Sequence, residues 1–137
     1  MKKYVLDACA LIALFQKETG AEVVESLLVE AIKGSCSVSM NAINLLEVYY
    51  GYLRADGETF AERLLAAVTG SCIKVVNALP EELLRRAGKL KIAHRMSLAD
   101  AILIAQSLVD GAAVVTSDHH EFDVVDEKGI AEFLWIR

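Results

Sequence analysis

The sequence predicts an α/β domain, a central parallel sheet of four to five strands with helices on both faces. Three observations carry this. Short apolar runs rich in β-branched residues (KYVLD, CSVSM, CIKVV, AAVVT, EFLWI) alternate with longer segments whose apolar residues recur at helical spacing. Val38 and the pair Val114 and Val115 sit in short runs flanked by helical segments, as strands buried on both faces do. The 137 residues, 55% hydrophobic with mean hydropathy +0.40, suit one domain over 1–137 that buries a core without staples.

Each element has its own signal. KYVLD opens the chain as a strand and gives way at Asp7 to the apolar run ACALIALF. Gly20 and Gly34 bracket the amphipathic helix AEVVESLLVEAIK. Ser39 or Asn41 can cap the next helix, which runs to about Arg54 and places Glu47 at the edge of a stripe formed by Ile43, Leu46, Tyr50 and Leu53. Pro80 suits the first turn of a helix extending through Arg95. Ser97 starts SLADAILIAQSLVD, apolar nearly all round and therefore expected to be buried, and Gly111 ends it. Asp123, Asp126 and Glu127 are expected in a solvated acidic loop after the fourth strand.

Composition narrows the function. The apolar runs are interrupted by charge well short of the ~20 residues a membrane span needs, so no membrane association is expected. The first residues lack the ordered features of a signal peptide. Cys9, Cys36 and Cys72 are odd in number, far apart and without zinc-ligand spacing, which fits free thiols in a reducing cytoplasm. A net charge of −5 argues mildly against a nucleic-acid partner. Arg85, Arg86, Lys89, Lys91 and Arg95 nevertheless crowd one segment, as a basic face or simply a solvated one.

Four carboxylates stand where a carboxylate is costly. Asp7 and Asp118 each end a strand, and Glu47 and Asp100 lie on semi-buried helix faces. Each has a structural explanation. Asp7 can cap the helix after it, Ser97 and Asp100 form an S-x-x-D capping box, Asp118 can cap a turn, and Glu47 can emerge at a helix edge. A doubly wound fold also allows all four to converge beyond the carboxyl ends of the strands, where ligands bind in open sheets. Two carboxylates ~4 Å apart repel by about 4 kcal/mol at an effective dielectric near 20, so convergence calls for cations. Oxygen-only ligands select hard ions, Mg²⁺ or Mn²⁺, which promote phosphodiester cleavage.

The stretches VLDACALIALF, NLLEVYYG, SLADAILIAQ and VVTSDHHEF, in this order and at these intervals, resemble the PIN-domain family, and within it the VapC-type ribonuclease toxins of prokaryotic toxin–antitoxin pairs. The likeness spans the chain to EFLWI. It implies a metal-dependent RNA endonuclease in which Asp7, Glu47, Asp100 and Asp118 hold one or two Mg²⁺ or Mn²⁺ ions. A metal-activated water would then leave a 5′-phosphate and a 3′-hydroxyl. It further implies that Thr116 hydrogen-bonds a carboxylate or metal-bound water, that the chain forms a homodimer through helices bearing Tyr49, Tyr52 and Leu53, and that a cognate antitoxin inhibits it. Asn44, one turn before Glu47, is either a supporting group or a surface amide. His119 and His120 are read as loop histidines facing solvent or phosphate rather than metal ligands, and Asp123 as a candidate for the outer shell of the site.

Other classes fit poorly. A phospho-receiver domain needs an Asp at the end of the third strand, where Asn77 and Ala78 stand. A haloacid-dehalogenase-type phosphatase needs a second Asp at Cys9. The remaining alternative is a catalytically degenerate PIN domain that binds RNA or protein.

Overall fold

A computed structural model describes residues 1–137. Five parallel strands form one sheet in the order β3-β2-β1-β4-β5, with β1 at Lys2–Leu6, β2 at Cys36–Asn41, β3 at Lys74–Val76, β4 at Ala113–Thr116 and β5 at Phe133–Trp135. The seven helices are α1 (Ala8–Gln16), α2 (Ala21–Ile32), α3 (Ala42–Asp56), α4 (Glu58–Thr69), α5 (Glu81–Ala93), α6 (Leu98–Asp110) and α7 (His119–Glu127). No helix is long and apolar enough to cross a membrane.

Adjacent residues of a strand face opposite sides of a sheet, and the central strands show why both sides are covered. Leu6 and Val115 enter one core with Val38 and Met40, packed against Leu11, Val24, Val48 and Leu64 of α1 to α4. Their neighbours Val5 and Val114 enter a second core with Leu83, Leu103, Ile104 and Phe122 of α5 to α7. The register Leu6↔Val115 and Val5↔Val114 keeps these sets aligned. Gly20 closes the periphery. Its φ is +102°, and a Cβ there would lie 2.7 Å from the Ile136 carbonyl oxygen, so no side chain fits.

Several sequence expectations change. In α3 the buried face is Asn44, Leu45, Val48 and Tyr52, while of the stripe beside Glu47 only Ile43 turns in, against the second core, and Leu46, Tyr50 and Leu53 are exposed. Pro80 is the N-cap of α5 rather than part of its first turn, and that helix stops at Ala93. The expected acidic loop is α7, capped by Asp118 and anchored by buried Phe122 and Val125. Helix α4 has the apolar spacing Ala61, Leu64, Val68 and packs that face into the first core.

Candidate active site

The strand order reverses at β1 and β4, and the crevice beyond their carboxyl ends holds a cavity of about 570 Å³. Asp7, Glu47, Asp100 and Asp118 all line it, with Asn44, Cys9, Arg95, Met96, Ser97 and a fifth acid, Glu121. All four acids singled out from sequence therefore meet in one place.

The chain brings them there through helix starts. Asp7 caps α1, its Oδ1 accepting from the Ala10 amide at 2.7 Å. Asp118 caps α7, its Oδ1 accepting from the Glu121 amide at 3.1 Å. Ser97 caps α6 by accepting from the Asp100 amide at 3.1 Å, which sets Asp100 in the first turn. Only this half of the capping box is made, so the Asp100 carboxylate is not spent on the Ser97 amide. Glu47 comes from the second turn of α3. Capping and convergence are thus one arrangement, because helix N-termini carry partial positive charge that favours carboxylates.

Thr116 ties two acids together. Its hydroxyl donates to Asp7 Oδ2 and accepts from the Asp118 backbone amide at 2.9 Å. The Thr116 side chain is wholly buried and Asp7 is only 4% exposed. Burial drives the Asp7 carboxyl up to about 7 against the hydrogen bonds from Thr116 and Ala10, and the charges of Asp118 and Asp100 push the same way. Burial likewise lifts Asp100 to about 6, with Ser97 opposing and Glu121, Glu47 and Asp118 adding. Glu47 is also raised by burial. The Cys9 thiol is pushed up to about 12 by burial and the nearby acids, so in the metal-free protein it stays protonated at neutral pH.

The donor set is therefore carboxylate oxygen, which fits a hard divalent cation in kind. As placed, no three His, Cys, Asp or Glu side chains form a group able to hold a metal ion. The acids stand around the cavity, not closed on a point.

Residues outside the cavity have other work. His119 opens α7, bonds Asp123 Oδ1 at 2.7 Å and the Arg137 carbonyl at 2.8 Å, and stacks on Trp135 at 4.0 Å. Asp123 is thereby engaged by His119, and its place is the flank of α7. The basic segment is largely spent locally. Arg85 and Arg86 pair with Glu81 and Glu82, and Lys91 donates to the Met96 carbonyl. Arg95, in the loop before α6, is the one lysine or arginine in the cavity lining. Glu121 was missed from sequence, though Asp118-x-x-Glu121 has the spacing of a capped helix start.

The PIN-domain family model matches residues 4–128. This chain belongs to the PIN-domain family. No curated protein matches the chain in sequence. Among solved structures, this PIN domain is similar to DNA-bound VapBC from Salmonella typhimurium, with TM-score 0.74 and 19% identity over 100% of both chains. It is similar to VapBC2 from Rickettsia felis bound to a promoter DNA fragment, with TM-score 0.74 and 14% identity over 96% of this chain and 97% of that one. VapC20 from Mycobacterium tuberculosis, described as a sarcin–ricin loop cleaving toxin, matches with TM-score 0.64 and 18% identity over 89% and 94%. These likenesses are of fold.

Proposed function

We propose that this PIN domain is a Mg²⁺- or Mn²⁺-dependent endoribonuclease and the toxin of a toxin–antitoxin pair. The observation that carries the reading is the meeting of Asp7, Glu47, Asp100 and Asp118 in one cavity at the switch point of the sheet. A Klebsiella pneumoniae structure named as a toxin–antitoxin complex, similar in fold with TM-score 0.70 and 18% identity, and the relative named for cleaving the sarcin–ricin loop support it.

Asp7, Glu47, Asp100 and Asp118 would hold the cation. When bound, it supplies charge neutralisation and Lewis acidity for hydrolysis of a phosphodiester to a 5′-phosphate and a 3′-hydroxyl. The chain does the rest. Thr116 fixes the Asp7 carboxylate and the start of α7 together, so two ligands keep their spacing. The Asp7 carboxyl, raised by burial to about 7, is part-protonated near neutrality until a cation arrives, so loading releases protons and tightens as pH rises. Arg95 at the cavity wall offsets the repulsion an RNA strand meets there.

The exposed apolar residues Leu46, Tyr50 and Leu53 on the outer side of α3 support pairing with a second copy. Tyr52, at 6% exposure, lies in the core and takes no part. Light scattering should report a dimer at micromolar concentration, and a monomer would remove this element. An antitoxin segment that directs an Arg or Lys at the acids would block metal and RNA together. Mn²⁺ affinity unchanged in such a complex would rule that out. The three free thiols suit a cytoplasmic setting.

The alternative, a degenerate PIN domain that binds RNA or protein without cutting, draws support from the open arrangement of the acids. Metal-stripped protein incubated with RNA, then supplied with Mg²⁺ or Mn²⁺, separates the two. Cleavage that appears only on add-back is expected. Intact RNA at saturating metal would leave the binding module.

A further inference from the structure

Asn44 is an anomaly inside a well-satisfied protein. It is 1% exposed, it forms part of the wall of the acid cavity, and its Nδ2 has no hydrogen-bond partner. Only one other buried side-chain nitrogen or oxygen in the chain, the Tyr52 hydroxyl, shares that state. The neighbouring amide at the same helix start shows what satisfaction looks like. Asn41 donates through Nδ2 to Gln106 at 3.1 Å and accepts through Oδ1 from the Ile43 amide at 2.9 Å. Native proteins rarely leave a buried donor orphaned, and the amide of a cavity-wall side chain needs only a rotation about χ2 to bring its donor to an occupant.

The surroundings limit what that occupant can be. Five carboxylates line the cavity, yet none accepts from Asn44. The partner must bring its own acceptor oxygen. Asn44 sits three residues beyond the cap of α3, in the first turn, where the positive end of the helix also favours an anion. An amide suits this place better than a lysine would. It donates without charge, so it holds an anion without pairing with the acids that are to carry the cation.

We propose that the Asn44 side-chain amide donates to a phosphate oxygen of the RNA strand and orients the scissile group over the acids. This rests on the nuclease reading above and names a substrate contact within it.

The test follows the Asn44 side-chain amide by NMR, assigned by its absence in Asn44→Leu, as a 5′-phosphorylated RNA trinucleotide is added with Mg²⁺. The same variant is measured for thermal unfolding and for kcat and KM on RNA. The amide signals should shift with saturation. Asn44→Leu removes an unsatisfied donor while keeping the branched shape, so it should unfold within a few degrees of the wild type while kcat falls roughly 10²-fold, the scale of losing one transition-state donor. A merely structural amide would instead lower the unfolding temperature and leave kcat in place. Amide signals unmoved at saturation, or a Leu variant with wild-type kcat, would overturn the proposal even where the wild type cleaves RNA. Shifting signals on a wild type that cuts nothing would keep the contact and discard the nuclease.

Discussion

Two cavities of nearly equal size open on this sheet, and they have opposite chemistry. The groove along β2 and β3 encloses about 540 Å³, between Lys3, Ser37, Ser39 and Lys74 on one side and Gln106, Val109 and Asp110 on the other. Its buried polar groups are closed among themselves, since Gln106 accepts from Asn41 and donates to Asp110 at 2.7 Å. The cavity beyond β1 and β4 encloses about 570 Å³, gathers five acids, raises two of their carboxyls to about 6 and about 7, and leaves a buried amide unpaired. Volume does not tell them apart. The second holds groups in states that cost folding free energy, and an occupant that accepts hydrogen bonds and carries cations relieves all of them.

The comparison breaks most visibly at Asp7. Asp7→Asn keeps one acceptor oxygen for the Ala10 amide, gives up the bond from the Thr116 hydroxyl and removes a buried charge, so RNA cleavage should fall by roughly 10³-fold or more while the fold is retained, read by gel assay and calorimetry. Undiminished cleavage would return the acid cavity to the status of the groove.

The next effect is on stability against pH. The Asp7 carboxyl stands at about 7 in the fold against 3.8 when free, so folding is favoured while the group is protonated in both states. In the metal-free protein the Asp7 contribution is therefore most favourable at and below about pH 4 and is lost as pH rises to about 7. Asp7 contributes on the order of 4 kcal/mol, because each tenfold change in proton affinity is worth about 1.4 kcal/mol. Asp100 adds in the same direction up to about 6. Urea melts across this range should show the slope in wild type and a shallower one in Asp7→Asn.

Thr116→Val probes the tie between the two strand ends. It leaves Asp7 Oδ2 and the Asp118 amide unpaired, so a loss of about 1–3 kcal/mol is expected together with slower cleavage. Gln106→Leu is the matched change in the groove. It opens the Asn41–Gln106–Asp110 chain and should cost about 1–3 kcal/mol by chemical denaturation, with the cleavage rate within about twofold of wild type. A large loss of cleavage there would join the two cavities into one site.

These contrasts were unequally legible in the sequence. The strands and the acids at their ends could be read because a lone carboxylate after VVT or YVL conflicts with its neighbours whatever the tertiary packing. The outward face of α3 could not. Ile43, Leu46, Tyr50 and Leu53 form one helical stripe, and Leu45, Val48 and Tyr52 form another. Contact with the first core, not periodicity, decides which is buried. Helix α7 was hidden by its charges, although Asp118, Phe122 and Val125 mark a cap and an apolar face. The unpaired Asn44 amide had no sequence signature at all, because satisfaction is a property of surroundings.

The central claim, that the acid cavity and not the groove holds a hard divalent cation, is tested most directly by titrating Mn²⁺ calorimetrically into metal-stripped wild type, Gln106→Leu and Asp7→Asn at pH 7.5. Saturable binding with proton release, alike in wild type and Gln106→Leu and lost in Asp7→Asn, is the result expected. Equal Mn²⁺ affinity in all three proteins would contradict it.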